Sequence, residues 1–297
     1  TNSGVEIELD YNAFKNKDWS VSVGANATFV KNKIKNLPAT MKENGYISGS
    51  KKWLEGKSIY EFWLRQWHGV DPQTGDGLYV ADVSKYNQGN IGTGDGNITQ
   101  SQFDEYKKTV VTIDGKELTN SYTYAKYDFS GSSIPDVFGG FNVRVSYKNF
   151  DLAAVFSYQL GDQVLDTNYA TMMSMTEFGY AQSPDLLKAW KQAGDITEVP
   201  RIDNSAAHTT NIGQSYSTRW LTSSDYLNLR SVTIGYQFPK AWLSKVMLKS
   251  ARLNLTAENL FMLKARQGLN PMANYSGVTY NEYMPSRNIT LGLNVSF

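Results

Sequence analysis

Residues 94–106 (GDGNITQSQFDEY) contain the DG-x-I-T centre of a calcium-binding loop. In such a loop a glycine occupies the sixth position, and the strongest oxygen ligands come from positions one, three and twelve. If Gly96 is the sixth residue, those positions fall on Ile91, Thr93 and Gln102, so two of the strongest ligands are missing. The sequence therefore argues against calcium at this loop, and it predicts no metal or cofactor elsewhere.

His68 and Asp71 are three residues apart, a spacing at which an imidazole and a carboxylate could form a catalytic pair. The only other histidine is His208, and no nucleophile motif accompanies either one. The acidic residues are spread along predicted strand faces instead of converging on one point. We therefore expect structural roles for the histidines, no catalytic residues and no enzyme.

Five large aromatic residues outside the predicted strands could contact a ligand or a partner: Trp53, Trp63, Trp67, Tyr79 and Trp190. Aromatic faces can stack on sugar rings, and tryptophan is enriched among interface anchors. The alternative is that these side chains pack the loops that carry them, which we favour for the four in the first loop. They are kept as candidate contacts with substrate or partner.

The elements that must position these residues are β-strands, and the last one is the clearest. Residues 285–297 (PSRNITLGLNVSF) place Ile289, Leu291, Leu293 and Val295 on one face and polar residues or glycine on the other, without exception from 288. This period of two indicates a strand with one apolar and one polar face. A strand of about ten residues fits either a tilted bilayer crossing or a buried strand of a soluble sheet.

Composition narrows the function classes. The chain has 29 Lys and Arg against 28 Asp and Glu, which gives no electrostatic case for binding nucleic acid. Zero cysteines exclude disulfides and thiolate metal sites. No run of about 18 apolar residues could form a membrane helix, whereas a transmembrane barrel needs only alternation. The first residue stands inside a strand pattern, so we expect a piece of a longer protein.

Six further strands follow from the same alternation. Two hairpins are predicted, one from 5–13 and 19–29 and one from 141–147 and 150–160; strands at 226–238 and 251–258 complete the set with 285–297. In 226–238, Leu227 and Leu229 are out of phase with the residues that follow. This predicts a β-bulge near Arg230 and Ser231, or an upper half that stands above the bilayer.

The connections alternate between short and long. Long irregular segments cover about 31–136 and 161–224, and the second includes a predicted short helix with Ser183 as N-cap, Pro184 at its first position and Gly194 after its end. Outer-membrane barrels have short periplasmic turns and long external loops. Nothing in a soluble sandwich requires short and long connections to alternate over seven strands, so the pattern favours a barrel.

Several blocks of the chain resemble SusC/RagA-type TonB-dependent outer-membrane transporters. These blocks are GKSIYEFWLRQWHGVDPQTGDGLYV (56–80), IPDVFGGFNVRVSYKNFDLAAVFSYQLG (134–161), SPDLLKAWKQAGDITEVPRI (183–202), DYLNLRSVTIGYQFPKAWLSK (225–245), SARLNLTAENLF (250–261), GLNP (268–271) and YMPSRNITLGLNVSF (283–297). They occur in family order and cover most of the chain. The resemblance implies an all-β fold, with 1–297 as the C-terminal section, about seven antiparallel strands, of a large transmembrane β-barrel with long extracellular loops.

The resemblance also implies a function and partners. It implies import of glycan or peptide oligomers across the outer membrane of a Gram-negative bacterium, together with a SusD-like surface lipoprotein. The plug domain, the segment that contacts the TonB complex and the earlier strands would lie outside this chain. A passive pore or adhesin barrel is the alternative, and a soluble sugar-binding or hydrolytic β-domain is a third class. We expect contact with outer-membrane lipid and none with nucleic acid.

Aromatic residues also cluster where the predicted strands meet the short turns. They are Trp19, Tyr147, Phe150, Tyr236 and Phe238, and they are the expected aromatic girdle at the periplasmic interface. The terminal Phe297 ends an apolar strand face and resembles the signal that the outer-membrane insertion machinery recognises. We therefore assign it as a candidate barrel-assembly signal.

Overall fold

A computed structural model describes residues 1–175, 179, 181–213, 216–272, 275–280 and 282–297. The strands are β1 (Asn2–Lys15), β2 (Trp19–Asn32), β3 (Tyr46–Ser48), β4 (Lys51–Trp53), β5 (Glu61–Arg65), β6 (Trp67–Val70), β7 (Gly77–Val80), β8 (Val110–Ile113), β9 (Lys116–Thr119), β10 (Tyr127–Ser132), β11 (Val137–Tyr147), β12 (Phe150–Leu160), β13 (Gln163–Leu165), β14 (Leu221–Ser223), β15 (Tyr226–Gln237), β16 (Ser250–Glu258), β17 (Met262–Lys264) and β18 (Asn288–Ser296). The α-helices are α1 (Gln100–Thr109), α2 (Thr167–Met172), α3 (Ala206–Ile212) and α4 (Lys240–Leu243). Within the described residues, no helix has the length and apolar character needed to cross a bilayer.

One large sheet contains the seven long strands in the order β1-β2-β11-β12-β15-β16-β18, with every neighbouring pair antiparallel. The short strand β17 pairs beside the upper part of β15. The prediction of about seven antiparallel strands is confirmed. Strands β1 and β18 occupy the two edges of this sheet.

The register places all apolar strand faces on one side of the sheet. The row Val23, Val143, Ala154, Val232 and Ala257 crosses five strands through direct pairs. At the two edges the same face is highly exposed, with Leu9 at 63% and Leu293 at 62% of their full accessible areas. A continuous exposed apolar face of this extent is what a lipid-facing wall presents.

Two β-bulges keep the apolar face in phase. Val155 pairs with Ser231 and Phe156 pairs with Leu229, so Arg230 is the extra residue of β15. The predicted bulge is confirmed, and it returns Leu229 to the apolar face. A second bulge lies between Asn12 and Phe14 of β1. The predicted end of the first strand at residue 13 was wrong, because the bulge lets β1 continue to Lys15.

All three short connections lie at one end of the sheet. They join β1 to β2, β11 to β12, and β15 to β16, the last through α4. The terminal residue Phe297 lies at this same end, because Ser296 pairs with Ser250 at the start of β16. The predicted order of short and long connections is confirmed.

The long connections form a packed layer at the opposite end. One core cluster contains Phe62, Leu64, Leu165, Trp220 and Val278, which come from three different connections. A second, smaller cluster is built around Tyr86, Tyr106 and Tyr124, all within the first connection. The aromatic content of the loops is therefore used to give them cores of their own.

Strands β5 and β10 of a second, four-stranded sheet, β10-β5-β4-β3, continue the wall above the large sheet. Strand β5 follows β2 in the chain, β10 precedes β11, and β5 pairs with β10 as β2 pairs with β11. The side chain of Asn32 at the top of β2 accepts hydrogen bonds from Ser58 Oγ at 3.0 Å and from the Ile59 N–H at 2.9 Å. The segment 33–57 thus leaves the wall and returns to it at the same place.

One helix prediction needs correction, and one helix was not predicted. Ser183 and Pro184 do begin a helix, and the Ser183 hydroxyl accepts the Asp185 N–H, but this 3-10 helix ends at Lys188 because Ala189 is extended. The segment after Asn97 is helical, which the sequence interpretation missed. Thr99 and Gln102 form a capping box at the start of α1, in which each side chain accepts the other residue's backbone N–H.

Candidate functional site

Trp67 and Tyr79 lie together on the strand pair β6–β7, with ring centroids 5.1 Å apart in an edge-to-face arrangement. Arg219 places its guanidinium 4.7 Å from the Trp67 ring and 4.3 Å from the Trp220 ring. Tyr79 is fully buried, and its hydroxyl donates to the Asn211 carbonyl at 2.6 Å. Burial lowers the pKa of Arg219 to about 10 and raises the pKa of Tyr79 to about 12. This cluster joins the first and second long connections.

Trp63 belongs to a stripe of rings and cations on the face of β5 that points away from Phe62 and Leu64. Its ring stacks with Tyr127 at 6.1 Å and meets Phe129 edge-on at 4.9 Å. Lys52 Nζ lies 4.1 Å from the Trp63 ring, and Arg65 lies 4.7 Å from the Tyr127 ring. These side chains are half-buried, and their faces are occupied by one another.

Trp53 and Trp190 pack against neighbouring loop residues. Trp53 on β4 lies 5.4 Å from Tyr46 of the paired strand β3. Trp190 Nε1 donates to the Pro72 carbonyl at 3.0 Å, and its ring covers Gly75 so closely that a methyl group there would collide with it. Trp190 also lines an open groove of about 870 Å³ together with Leu186, Leu187, Arg201 and Ile202.

Lys51 is a half-buried residue that ties three loop segments together. Its ammonium donates to the Tyr60 carbonyl at 2.8 Å and to Ser133 Oγ at 2.9 Å, and it lies 3.3 Å from the Phe62 ring centroid. Ser133 in turn donates to the Tyr275 carbonyl at 3.1 Å. Burial lowers the pKa of Lys51 to about 7, because the charged form is poorly solvated there.

The most exposed rings of the loop layer were not among the sequence candidates. Tyr275 is 74% exposed and Tyr283 is 96% exposed, both in the last connection, and Ile196 in the second connection is 97% exposed. Sequence composition gave no signal for them, because the exposure of a ring depends on which other rings are buried in the loop cores. Exposed apolar and aromatic side chains of this kind are the ones free to contact a partner.

The two histidines have different surroundings. His68 is exposed, and the buried Asp71 accepts the Gln73 N–H at 2.8 Å. His208 is buried, with Nε2 2.8 Å from the Arg201 carbonyl and Nδ1 3.7 Å from Asp76. Over the described ranges, no group of three or more His, Asp or Glu side chains is arranged to hold a metal ion.

The five girdle candidates form one row at the short-turn end of the apolar face. Trp19 and Tyr147 lie 4.3 Å apart, Phe150 and Tyr236 4.5 Å, and Tyr236 and Phe238 5.1 Å. Two exposed rings at this end were missed by the sequence analysis. Phe14 follows the unpredicted bulge and is 52% exposed, and Trp242 of α4 is 59% exposed. Phe297, 86% exposed, ends the same edge.

The opposite face of the large sheet is polar and carries paired charges. Arg252 donates to Asp151 at 2.7 Å through Nη2 and to Asn254 at 2.7 Å through Nε. Thr233 and Thr256 share a hydrogen bond of 3.1 Å across the next pair of strands. This face suits a hydrated interior, which agrees with an apolar outer face on the same strands.

Comparison with known proteins relates this geometry to one family. None of the known protein-family models matches the chain. The chain is 26% identical over 314 aligned residues to TonB-dependent receptor P3 of Formosa agariphila, covering 100% of this chain and 28% of that protein. It is 23% identical over 309 residues to TonB-dependent receptor SusC of Bacteroides thetaiotaomicron, covering 100% and 26%.

The fold is similar to a solved barrel. The RagAB peptide importer in its closed-closed state superposes with a TM-score of 0.76 at 24% identity, covering 100% of this chain and 29% of that one. The RagAB peptide transporter gives a TM-score of 0.75 at 23% identity. The chain therefore spans less than a third of the length of these relatives. With its seven-stranded wall and packed loop layer, it is similar over its whole length to a section of the β-barrel of TonB-dependent receptors of the SusC/RagA type.

Proposed function

We propose that the protein containing this chain imports nutrient oligomers, either glycans or peptides, through TonB-dependent transport together with a SusD-like lipoprotein. The observation that carries the proposal is the alignment of the whole chain, loops included, with receptors P3 and SusC. The chain supplies the C-terminal wall of the barrel and part of its outer rim. Contact with the TonB complex belongs to the part of the protein outside this chain.

The loop layer supports a role in docking and substrate access. Its two core clusters give the long connections fixed shapes, so they can present a defined surface instead of a mobile one. Exposed apolar side chains remain on that surface, among them Val83 at 46% and Ile196 at 97%. A passive pore needs no such rim, whereas a barrel capped by a lipoprotein needs one.

The candidate contacts Trp53, Trp63, Trp67, Tyr79 and Trp190 enter this proposal in a supporting role. Their rings hold the loops in place through the contacts described above. The exposed side chains of the same loops then make the direct contacts with substrate or partner. Outer-membrane lipid covers the apolar face, with the row from Trp19 to Phe238 as its periplasmic girdle.

Removal of one loop excursion tests the docking role. Ala81 and Ala125 form a β-bridge, and the Asp82 N–H donates to the Tyr124 carbonyl at 2.9 Å, so the ends of 82–124 are adjacent. Replacing 82–124 by a short Gly-Ser linker in the full receptor should weaken lipoprotein co-purification or oligomer uptake. Barrel assembly, measured as heat-modifiable protein in the outer membrane, should be unchanged.

A pair of point variants refines the test. Val83→Asp changes an exposed residue of the excursion, and Ile47→Asp changes a similarly exposed residue, at 58%, on the β3–β4 hairpin. Only Val83→Asp should weaken partner retention if the excursion is the docking surface. Normal partner retention and growth after deletion of 82–124 would refute the docking role. Uptake that continues without TonB would refute the importer and favour a passive pore.

A further inference from the structure

Positive charge is concentrated where the wall rises above the large sheet. The whole chain has a formal charge of +1, yet residues 31–57 contain seven lysines against two glutamates and no aspartate. This segment leaves the top of β2, forms the β3–β4 hairpin and returns beside Asn32. The overall balance of charge therefore conceals a strongly basic local surface.

Most of these lysines have no acidic partner. Lys42 lies 3.9 Å from Glu55, and Lys57 lies 3.3 Å from Glu61. Across the described part of the chain, no carboxylate lies within 4.0 Å of the ammonium groups of Lys31, Lys33 or Lys52. Uncompensated charge of this density favours an anionic occupant.

The position of these lysines follows from the strand register. Lys31 has the same phase as Phe29 and Val23 in β2, so it continues their apolar face at its upper end, where Phe29 is 44% exposed. Lys33 lies next, with its side chain near Gly56 of the returning segment. The basic residues therefore stand immediately above the lipid-facing surface, on the same side of the wall.

Aromatic rings accompany the lysines on this side. On β5, Phe62 and Leu64 enter the loop core, so Trp63 faces the other way. Lys52 lies over the Trp63 ring at 4.1 Å, and Lys57 lies over the Phe129 ring at 4.5 Å. Rings beside cations directly above an apolar band are typical of the membrane–water interface.

We propose that Lys31, Lys33, Lys52 and Lys57, here called the basic patch, bind the phosphate groups of anionic lipid headgroups in the outer leaflet. The apolar face below the patch is already in the acyl-chain region, so a headgroup of the same lipid lies at the level of the lysines. Each lysine near an anionic membrane surface contributes about 1 kcal/mol, which corresponds to a factor of about five in affinity.

The test compares two triple variants of the full receptor, purified in neutral detergent. Lys31→Gln, Lys33→Gln and Lys52→Gln together remove the three unpaired charges of the basic patch. The matched control, Lys15→Gln, Lys17→Gln and Lys148→Gln, removes three exposed charges at the short-turn end. Lys148 lies over the Tyr147 ring at 5.2 Å, so both sets include one lysine on an aromatic ring. The probe is fluorescent bis-phosphorylated lipid A, and its binding is measured by anisotropy.

The patch variant should bind lipid A at least ten-fold more weakly than the wild type, and the control variant should bind it normally. Equal affinity for all three proteins, or an equal loss in both variants, would overturn the proposal. If inorganic phosphate at the same phosphate concentration displaces the lipid, the patch is a site for free anions and the lipid assignment is wrong. Loss of the lipoprotein partner with lipid binding intact would make the patch a protein-docking surface instead. Should the triple variant fail to assemble, the single variant Lys52→Gln is compared with Lys148→Gln in the same way.

Discussion

Substitution of Leu293 by arginine tests which face of the wall meets lipid. Leu293 is 62% exposed on the apolar side of β18, and it lies four residues before Phe297. With a rise of about 3.3 Å per residue and a tilt of about 40°, Leu293 stands about 10 Å from the periplasmic end of the strand. An apolar band about 25 Å tall has its midplane about 12 Å from each edge. Leu293 is therefore close to the midplane.

An arginine at that depth on the lipid face should destabilise the barrel by about 2–4 kcal/mol. The matched control is Gly292→Arg, one residue away on the polar face. A side chain added at Gly292 meets no atom within 4 Å, so it enters open space. Asn294 is a poorer control because it pairs directly with Arg252, and a second arginine there would add repulsion between like charges.

The assay is denaturant unfolding of the full receptor in lipid vesicles, with the midpoint compared at constant slope. Leu293→Arg should lower the midpoint strongly, and Gly292→Arg should change the free energy of unfolding by less than about 1 kcal/mol, as is usual for an exposed substitution. Equal losses for the two variants would show that the faces of β18 have been assigned incorrectly.

Three further predictions concern other parts of the chain. Deletion of Phe297 should lower the amount of receptor in the outer membrane without altering its synthesis; normal membrane levels would remove its role as an assembly signal. The folded-state pKa of Lys51 lies below the unfolded value of 10.5, so the folded state gains stability as pH rises above about 7. Hydrogen exchange of the Tyr60 and Ser133 segments, corrected for the intrinsic rate, should therefore slow between pH 7 and about 9.5, which is below the range in which tyrosines begin to ionise. Lys51→Met should abolish this trend. Gly75→Ala should destabilise the 183–201 loop more than Gly115→Ala does, because both glycines have positive φ but only Gly75 lies under the Trp190 ring. The measurement is the rate of proteolysis in this loop. Equal rates for the two variants would mean that the ring contact contributes nothing to the stability of the loop.

The wall was predictable from the sequence because its physics is local. Alternation of apolar and polar residues fixes which side of each strand meets lipid, and it even revealed the Arg230 bulge through the phase of Leu227 and Leu229. The bulge between Asn12 and Phe14 escaped because it lies at a strand end. Too few residues follow it for a change of phase to be visible.

The loop layer was less predictable because its contacts are non-local. Trp67, Tyr79 and Arg219 meet only when two connections more than a hundred residues apart pack together. No period in the sequence encodes such a meeting. The capping box of α1 was a local signal that could have been recognised, since Thr99 and Gln102 have the required spacing. The preceding Gly-Asp-Gly segment (94–96) is also typical of a metal-binding loop, so the local sequence carries two competing signals.

Segment 33–57 begins and ends at the same point of the wall, so the outer surface that it forms can change without altering the barrel. Asn32 holds Ser58 and Ile59 through two side-chain hydrogen bonds, so the closure of the wall at the top of β2 does not depend on the exposed turn at 42–44. The length of this turn can therefore change without disturbing the register of β2 and β11. The same arrangement makes the exposed turn at 42–44 a natural place to graft an epitope or a fluorescent domain onto the receptor, with Asn32 and Ser58 retained as the closing pair and Lys51 retained in the loop layer.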